Sequence, residues 1–370
     1  MNEDEFSRFV QYYRIDFDPN ILCIQKPKEQ IRKFFDALYE RNYSTMKKIR
    51  EDQAKTYGER VNLGLFHNKL LSFIVSVPFF SENQKKWKSD FEKIEINKEV
   101  YDDYELAIFY CMAGYDQIWN LKGQEAQVLL GEALRYARLS DSLKVEALSL
   151  LWLGQFAIDE KNLFEGLRLT RKAKDLFFES HQFNRIIDAE IQTACFLEKM
   201  NQYAEALSLL DRLENSAKIK PNQEIVNQRI WIAFQQREYE KACRLIEENR
   251  TPDTILDGNF GLLPMGYFLL RKKEKAMEQL IVMLPYAKDP WTKAGLNLVV
   301  DLVRDRRKNI HRTLKTLKHQ SELRRKQDIY QFLLGCVIRS RQESIQKADL
   351  NALRELVEWQ KEWIEIESGH

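Results

Sequence analysis

The chain has 370 residues and carries 58 Lys and Arg against 56 Asp and Glu, a formal net charge of +2. So small an excess predicts no general attraction to polyanions, and 13 Gly with 8 Pro leave few sites for the tight turns of a sheet protein. No apolar run reaches the ~18 residues that a membrane-spanning helix needs, and the chain opens on an acidic stretch, so we expect a cytoplasmic protein.

The residue types that carry metal or cofactor chemistry are scattered. The five cysteines are far apart and include no Cys-x-x-Cys pair, which predicts reduced, buried thiols. His311 and His319 fit one helix face, but their neighbours Arg312, Lys315 and Lys318 would repel a metal ion. No glycine-rich phosphate loop, His-Glu-x-x-His helix or Gly-x-Ser-x-Gly elbow occurs. We therefore expect no metal site, no cofactor and no enzyme of these classes.

Residues 1–100 form an N-terminal helical section in which the repeat pattern is weak. Ile31, Phe34, Phe35 and Leu38 have the spacing of an amphipathic helix, and a polar turn follows them. This pattern predicts a degenerate helical hairpin.

A repeated junction organises residues 101–350. A polar turn, a charged helix start and then a small residue recur, and the small residues fall at positions 126, 166, 206, 242 and 276. Steps of 40, 40, 36 and 34 residues are typical of tandem helical hairpins of the tetratricopeptide (TPR) kind. Two units also carry small residues at the other positions where paired helices pack closely: Gly114, Ala126 and Ala133, then Gly154, Gly166 and Ala173. The predicted fold is an all-α, TPR-like helical-hairpin solenoid.

The C-terminal part contains a basic stretch and a last helix. Residues 304–341 hold twelve Lys or Arg against three acids, which predicts either a solvated helix face or a contact for nucleic acid or an acidic partner. Residues 351–370 predict a capping helix. Trp359 and Trp363 lie four residues apart on it, so they either cap the last hairpin or form an exposed patch for self-association.

The first helix of each TPR hairpin supplies the inner surface of such an array, and its positions define a candidate groove. Aromatic side chains fill pockets, and amide side chains pair with a peptide backbone. Acidic members of the set would favour a ligand with a positive end. The predicted peptide-binding residues are Tyr115, Trp119, Gln155, Asp159, Asp188, Gln192, Asn227, Gln228 and Trp231.

The layout of a weakly repetitive N-terminal section followed by irregular TPR hairpins resembles the RRNPP family of Gram-positive bacteria and their phages. Asp16-Phe17-Asp18-Pro19-Asn20 and Thr56-Tyr57-Gly58-Glu59-Arg60 are similar to segments of its arbitrium receptors. The resemblance implies a right-handed TPR superhelix, often a homodimer, that binds a short signalling peptide in its concave groove. It also implies control of transcription or of a protein partner.

The branches of this family differ in their output. Arbitrium, Rgg and PlcR-like members carry a helix-turn-helix module, and no such pattern is visible here, so DNA binding stays open. Rap-type members act on response regulators, and Glu51-Asp52-Gln53 is similar to their motif, which would give Gln53 the role of positioning water against an aspartyl phosphate. A TPR scaffold that joins two proteins without a peptide ligand is the third alternative.

Overall fold

The computed structural model describes residues 25–56, 65–79, 84–119, 123–217, 223–251, 254, 261–324, 327–344 and 350–368. Eighteen α-helices run through these residues, and no strand occurs among them. The helices are α1 (Gln25–Tyr39), α2 (Tyr43–Thr56), α3 (Leu65–Ser76), α4 (Gln84–Ile96), α5 (Asp103–Trp119), α6 (Gly123–Leu139), α7 (Leu143–Asp159), α8 (Leu163–Glu179), α9 (Phe183–Lys199), α10 (Tyr203–Ala217), α11 (Gln223–Gln235), α12 (Tyr239–Asn249), α13 (Leu263–Leu269), α14 (Lys273–Met283), α15 (Pro290–Val303), α16 (Arg307–Arg324), α17 (Gln327–Ser344) and α18 (Leu350–Ser368).

The five helices α5–α9 share one length and one spacing. Each has 17 residues, and from α6 to α9 each begins 20 residues after the one before. Where the turns are described, the helices join through a residue with positive φ, as at Asp141, Lys161 and His181. At Lys161 the turn is closed by two backbone hydrogen bonds, from Lys161 to the Ile158 carbonyl (3.1 Å) and from Asn162 to the Ala157 carbonyl (2.9 Å). This double closure satisfies carbonyl groups that the helix end leaves unpaired.

The small residues lie where the repeat predicts close helix contacts. Ala126, Ala133, Ala173, Ala206, Ala242 and Ala276 are fully buried. A Cβ atom on Gly166 would stand 2.3 Å from the Phe196 ring and 2.9 Å from the Ala157 Cβ. A Cβ on Gly154 would stand 2.5 Å from the Thr170 hydroxyl. The small residues therefore mark the positions where neighbouring helices come close together. The predicted all-α, TPR-like fold class is confirmed.

Contacts divide the chain into two compact units, residues 1–196 (unit 1) and 197–370 (unit 2), with the boundary inside α9. The sections predicted at 1–100, 101–350 and 351–370 stay predictions, since they divide the chain by repeat character and not by contact density. The core of unit 1 contains stacked aromatic rings, with Phe91 against Phe109 at 5.1 Å between centroids. The core of unit 2 joins α11 to α17 through Phe234 and Phe332, whose centroids lie 5.5 Å apart.

The last helix covers apolar surface of unit 2. Trp359 on α18 is buried, and Trp363 is partly buried against Gly335 of α17. Both Trp side chains therefore pack within unit 2, and the capping role of this helix stays a prediction. Among the described helices, none combines the length and the apolar character that crossing a bilayer requires.

Replacing Gly166 by Ala should destabilise unit 1, because the added Cβ would stand less than 3.0 Å from both the fully buried Phe196 ring and the Ala157 Cβ. Overpacking of this kind costs about 1–3 kcal/mol. The matched control is Gly131→Ala on α6, where an added Cβ meets no atom within 4 Å. That change should stabilise the protein by roughly 0.5–1 kcal/mol, since Gly is a poor helix residue. Urea unfolding of both variants measures the difference, and equal stabilities would contradict the packing described here.

Candidate functional site

Three predicted groove residues of unit 1 lie on its consecutive first helices α5, α7 and α9. The Tyr115 ring packs on Trp152 at 4.4 Å between centroids. Gln155 is exposed. Gln192 is buried, and its amide donates a 3.1 Å hydrogen bond to the Leu151 carbonyl of α7, so it joins two helices. The Trp119 and Asp159 side chains lie outside the part of the structure that is described.

Asp188 takes part in a cluster of charges that connects α9 to the end of α1. Its carboxylate forms ion pairs with Arg41 and, at 3.0 Å, with Arg185. Arg185 is buried and donates hydrogen bonds to the Tyr39 carbonyl (2.9 Å) and to the Leu38 carbonyl. Burial lowers the pKa of the Arg185 guanidinium, and the Asp188 carboxylate opposes that shift. The Asp188 charge is thus balanced inside the protein.

Replacing Arg185 by Gln should remove the cation that satisfies two carbonyl groups and one buried carboxylate. Leaving two carbonyl groups without their donor, and the Asp188 carboxylate with Arg41 as its remaining cation, costs about 3 kcal/mol. The control is Arg168→Gln, because Arg168 is largely exposed and pairs with Glu165 three residues before it, and it should leave the unfolding midpoint unchanged. Chemical denaturation followed by circular dichroism tests both. Similar midpoints for the two variants would show that the Arg185 cluster is not a structural link.

The predicted residues of unit 2 lie on α11. Asn227 and Gln228 are partly buried, whereas Trp231 is buried. Phe332 of α17 meets the Trp231 ring edge-on at 5.5 Å, and the Lys199 ammonium lies 5.9 Å from its centroid. Trp231 is therefore covered by side chains of its own unit and contributes to core packing.

A cavity of about 550 Å³ opens between α11, α17 and α18 of unit 2. It combines aromatic and aliphatic walls with three amide groups and two guanidinium groups. Its lining consists of Phe234, Gln235, Arg237, Gln331, Phe332, Gly335, Ile338, Arg339, Gln360, Trp363 and Ile364. Pockets that take small ligands have volumes of about 300–1,000 Å³ and this mixture of apolar walls with a few polar groups.

The cavity was not among the sequence predictions. One signal was present in α17, where positions 331, 335, 338 and 339 follow the i, i+4, i+7, i+8 spacing of a single helix face. The central position of that face is Gly335, where an added Cβ would stand 3.3 Å from the Trp363 indole nitrogen. The partners on α11 and α18 are distant in sequence, so the spacing alone does not identify a cavity.

Two arginines, Arg237 and Arg339, belong to the lining of the cavity. Arg237 occupies the turn after α11 with φ of 63°, and the Arg339 Nε donates a 3.3 Å hydrogen bond to the Gly335 carbonyl. Burial raises the pKa of the neighbouring Tyr239, while both guanidinium groups oppose that shift by charge. Within the described part of the chain, no carboxylate lies at ion-pair distance from either guanidinium.

The sequence also singled out Gln53 and the basic stretch at residues 304–341. Gln53 is partly buried on α2. Of the basic stretch, Arg341 pairs with Asp305 at 2.6 Å and Lys318 with Glu362 at 2.9 Å, and many of the remaining cations are exposed on α16.

Cys111, Cys243 and Cys336 are buried, which raises their thiol pKa values to about 12, 12 and 11.

Solved structures show the same fold over almost the whole chain. A Rap protein complexed with competence and sporulation factor is 15% identical, with a TM-score of 0.64 over 93% of this chain and 98% of that one. The apo form of the quorum sensor NprR from B. thuringiensis is 13% identical, with a TM-score of 0.65 over 92% and 99%. The Rap conjugation gene regulator of plasmid pLS20, in complex with the Phr* peptide, is 14% identical, with a TM-score of 0.59 over 92% and 96%.

These likenesses place the chain in a class of folds, tandem TPR-like helical hairpins in the arrangement found in Rap and NprR. At such low identity they show the fold and carry no residue correspondence. No family model and no curated protein sequence matches the chain.

Proposed function

We propose that the chain is a cytoplasmic regulator that binds a short signalling peptide and thereby controls transcription or a protein partner. The observation that carries the proposal is the shared fold, which extends over at least 92% of this chain in two structures that hold a signalling factor or peptide. A TPR-like array presents many side chains along successive helices, and an extended ligand suits that surface.

The composition of the exposed surfaces supports a peptide ligand. In unit 1, the partly buried Tyr115 and the exposed Gln155 offer an aromatic face and an amide. In unit 2, the cavity adds three amide groups between aromatic walls. Amides both donate and accept hydrogen bonds, as the peptide backbone does. Tyr115, Gln155, Asn227 and Gln228 stay proposed contact residues.

The regulatory step is a shift between arrangements of the helices. The peptide favours one arrangement by no more than its difference in affinity for the two, and the output partner responds to that shift. A homodimer and a protein partner belong to the proposal, and DNA binding stays open. A scaffold without a peptide ligand is the rival, and it predicts a bound protein but no peptide.

Native mass spectrometry of freshly purified protein, followed by denaturation, tests the proposal. We expect a released peptide of a few residues and a protein mass that corresponds to a dimer. Where the protein purifies empty, hexapeptide libraries added in excess should raise its unfolding temperature, because a ligand that binds only the folded state stabilises it. An absence of any peptide effect on mass and temperature would reject peptide binding in favour of the scaffold.

Gln235 and Gln236 provide a matched pair for locating the ligand. Gln235 lines the cavity, whereas the neighbouring Gln236 is exposed and is not part of the lining. Gln235→Ala should weaken peptide binding about three- to tenfold, the effect of one lost hydrogen bond, and Gln236→Ala should leave it unchanged. Isothermal titration calorimetry measures both. Equal peptide affinities of the two variants would show that the peptide binds outside this cavity.

The second candidate is a phosphatase that acts on a phosphorylated response regulator. It rests on the similarity around Gln53, whose side chain is only partly buried on α2 and so is accessible. Loss of accelerated dephosphorylation in Gln53→Ala, with activity kept in the exposed control Gln127→Ala, would support it. A regulator panel with no acceleration by the unaltered protein would remove it.

A further inference from the structure

The lining of the unit 2 cavity combines apolar rings with cationic groups, and the two call for different parts of one ligand. Phe234, Phe332 and Trp363 supply the rings, and Arg237 and Arg339 supply the cations. From this combination we infer that the cavity holds the C-terminal residue of the peptide, with an apolar side chain against the rings and the free carboxylate on the two arginines. The inference rests on the proposed function and specifies the chemistry of its ligand.

The arginines suit a carboxylate. Each guanidinium presents five donors in a planar fork and stays charged at all relevant pH values. Both line the same cavity, and no carboxylate of the described chain lies within ion-pair distance of either. Two like charges on one cavity are stabilised by an anion between them, and a paired carboxylate gives the strongest such hydrogen bonds.

The backbone that carries Arg237 and the side chain of Arg339 are held before a ligand arrives. Arg237 lies in a turn that is closed by hydrogen bonds from Arg237 to the Phe234 carbonyl (3.1 Å) and from Glu238 to the Ala233 carbonyl (2.8 Å). Arg339 is anchored to its own helix by the Gly335 carbonyl. Holding the donors in place reduces the entropy lost on binding.

The amide groups distinguish a peptide from other apolar anions. Gln235, Gln331 and Gln360 lie on α11, α17 and α18, so hydrogen-bonding groups come from all three helices around the cavity. A peptide end has N–H and C=O groups to match them, whereas a fatty acid has an alkyl chain that would leave these amides without ligand partners. The volume of about 550 Å³ admits a large terminal side chain together with its backbone.

The test compares hexapeptide libraries that end in Leu, Ile, Phe or Trp, prepared once with a free C-terminal carboxylate and once with a C-terminal amide. Binding is measured by calorimetry on the full chain. Amidation should weaken binding about 10- to 100-fold, the effect of losing charged hydrogen bonds. Equal affinity for acid and amide would overturn the inference while peptide binding itself stands. Failure of every library to bind would overturn the inference together with the proposed function.

Arginine variants test which residues bind the C-terminal carboxylate. In Arg237→Gln and Arg339→Gln the ratio of acid to amide affinity should fall towards one, and Arg339→Lys should restore part of it. Arg304→Gln, an exposed cation of unit 2 outside the lining, should keep the full ratio. A full ratio in both Arg→Gln variants would place the carboxylate elsewhere and overturn the inference. Decanoate is the fatty-acid probe. If decanoate binding depended on these two arginines and binding of the peptide acids did not, the inference would also be overturned.

Discussion

The close approach of the two helices within each hairpin is the constraint on which the rest of the structure depends. It requires a residue with little or no side chain at the contact, and the chain places Gly or Ala there at one unit after another. From α5 to α9 these contacts recur between helices of one length, 17 residues each. In unit 2 the buried Ala242 and Ala276 lie on helices of 11 residues, so the close contact repeats where the helix length does not. The surface left for a ligand then lies on the faces of the first helices and, in the cavity of unit 2, also on the last helix α18.

This constraint explains why the fold was predictable and the site only partly so. Small residues at Gly154, Gly166 and Ala173 act through contacts between neighbouring helices, so their spacing along the chain records the packing. The covering of Trp231 by Phe332 joins α11 to α17, about a hundred positions along the chain, and no periodic pattern records it. The cavity is likewise not recorded by a periodic pattern, since its walls come from α11, α17 and α18, which are distant in sequence.

The roles of the charged residues were also only partly predictable from the sequence. Sequence presents Asp188 and Arg237 simply as charged residues on or near first helices. In the folded chain Asp188 pairs with Arg185, three residues before it on α9, and with Arg41, which the contact between the end of α1 and α9 brings near. Arg237 meets no described carboxylate. Whether a charge is used for structure or left for a ligand therefore depends in part on partners, such as Arg41, that only the tertiary fold brings near. An expectation of a ligand with a positive end followed from the acids, whereas the cavity of unit 2 carries the opposite sign.

The contact between Gly166 and the Phe196 ring has a consequence for how sequences with this fold diverge. The ring occupies the space that a side chain at position 166 would need, so neither position tolerates enlargement while the other keeps its present residue. Across relatives the two should vary as a pair, a larger residue at 166 accompanying a smaller one at 196. Such paired exchange would be detectable as covariation even where overall identity is too low to align the intervening helix with certainty, and it would make this contact a fixed reference for the register of the repeats.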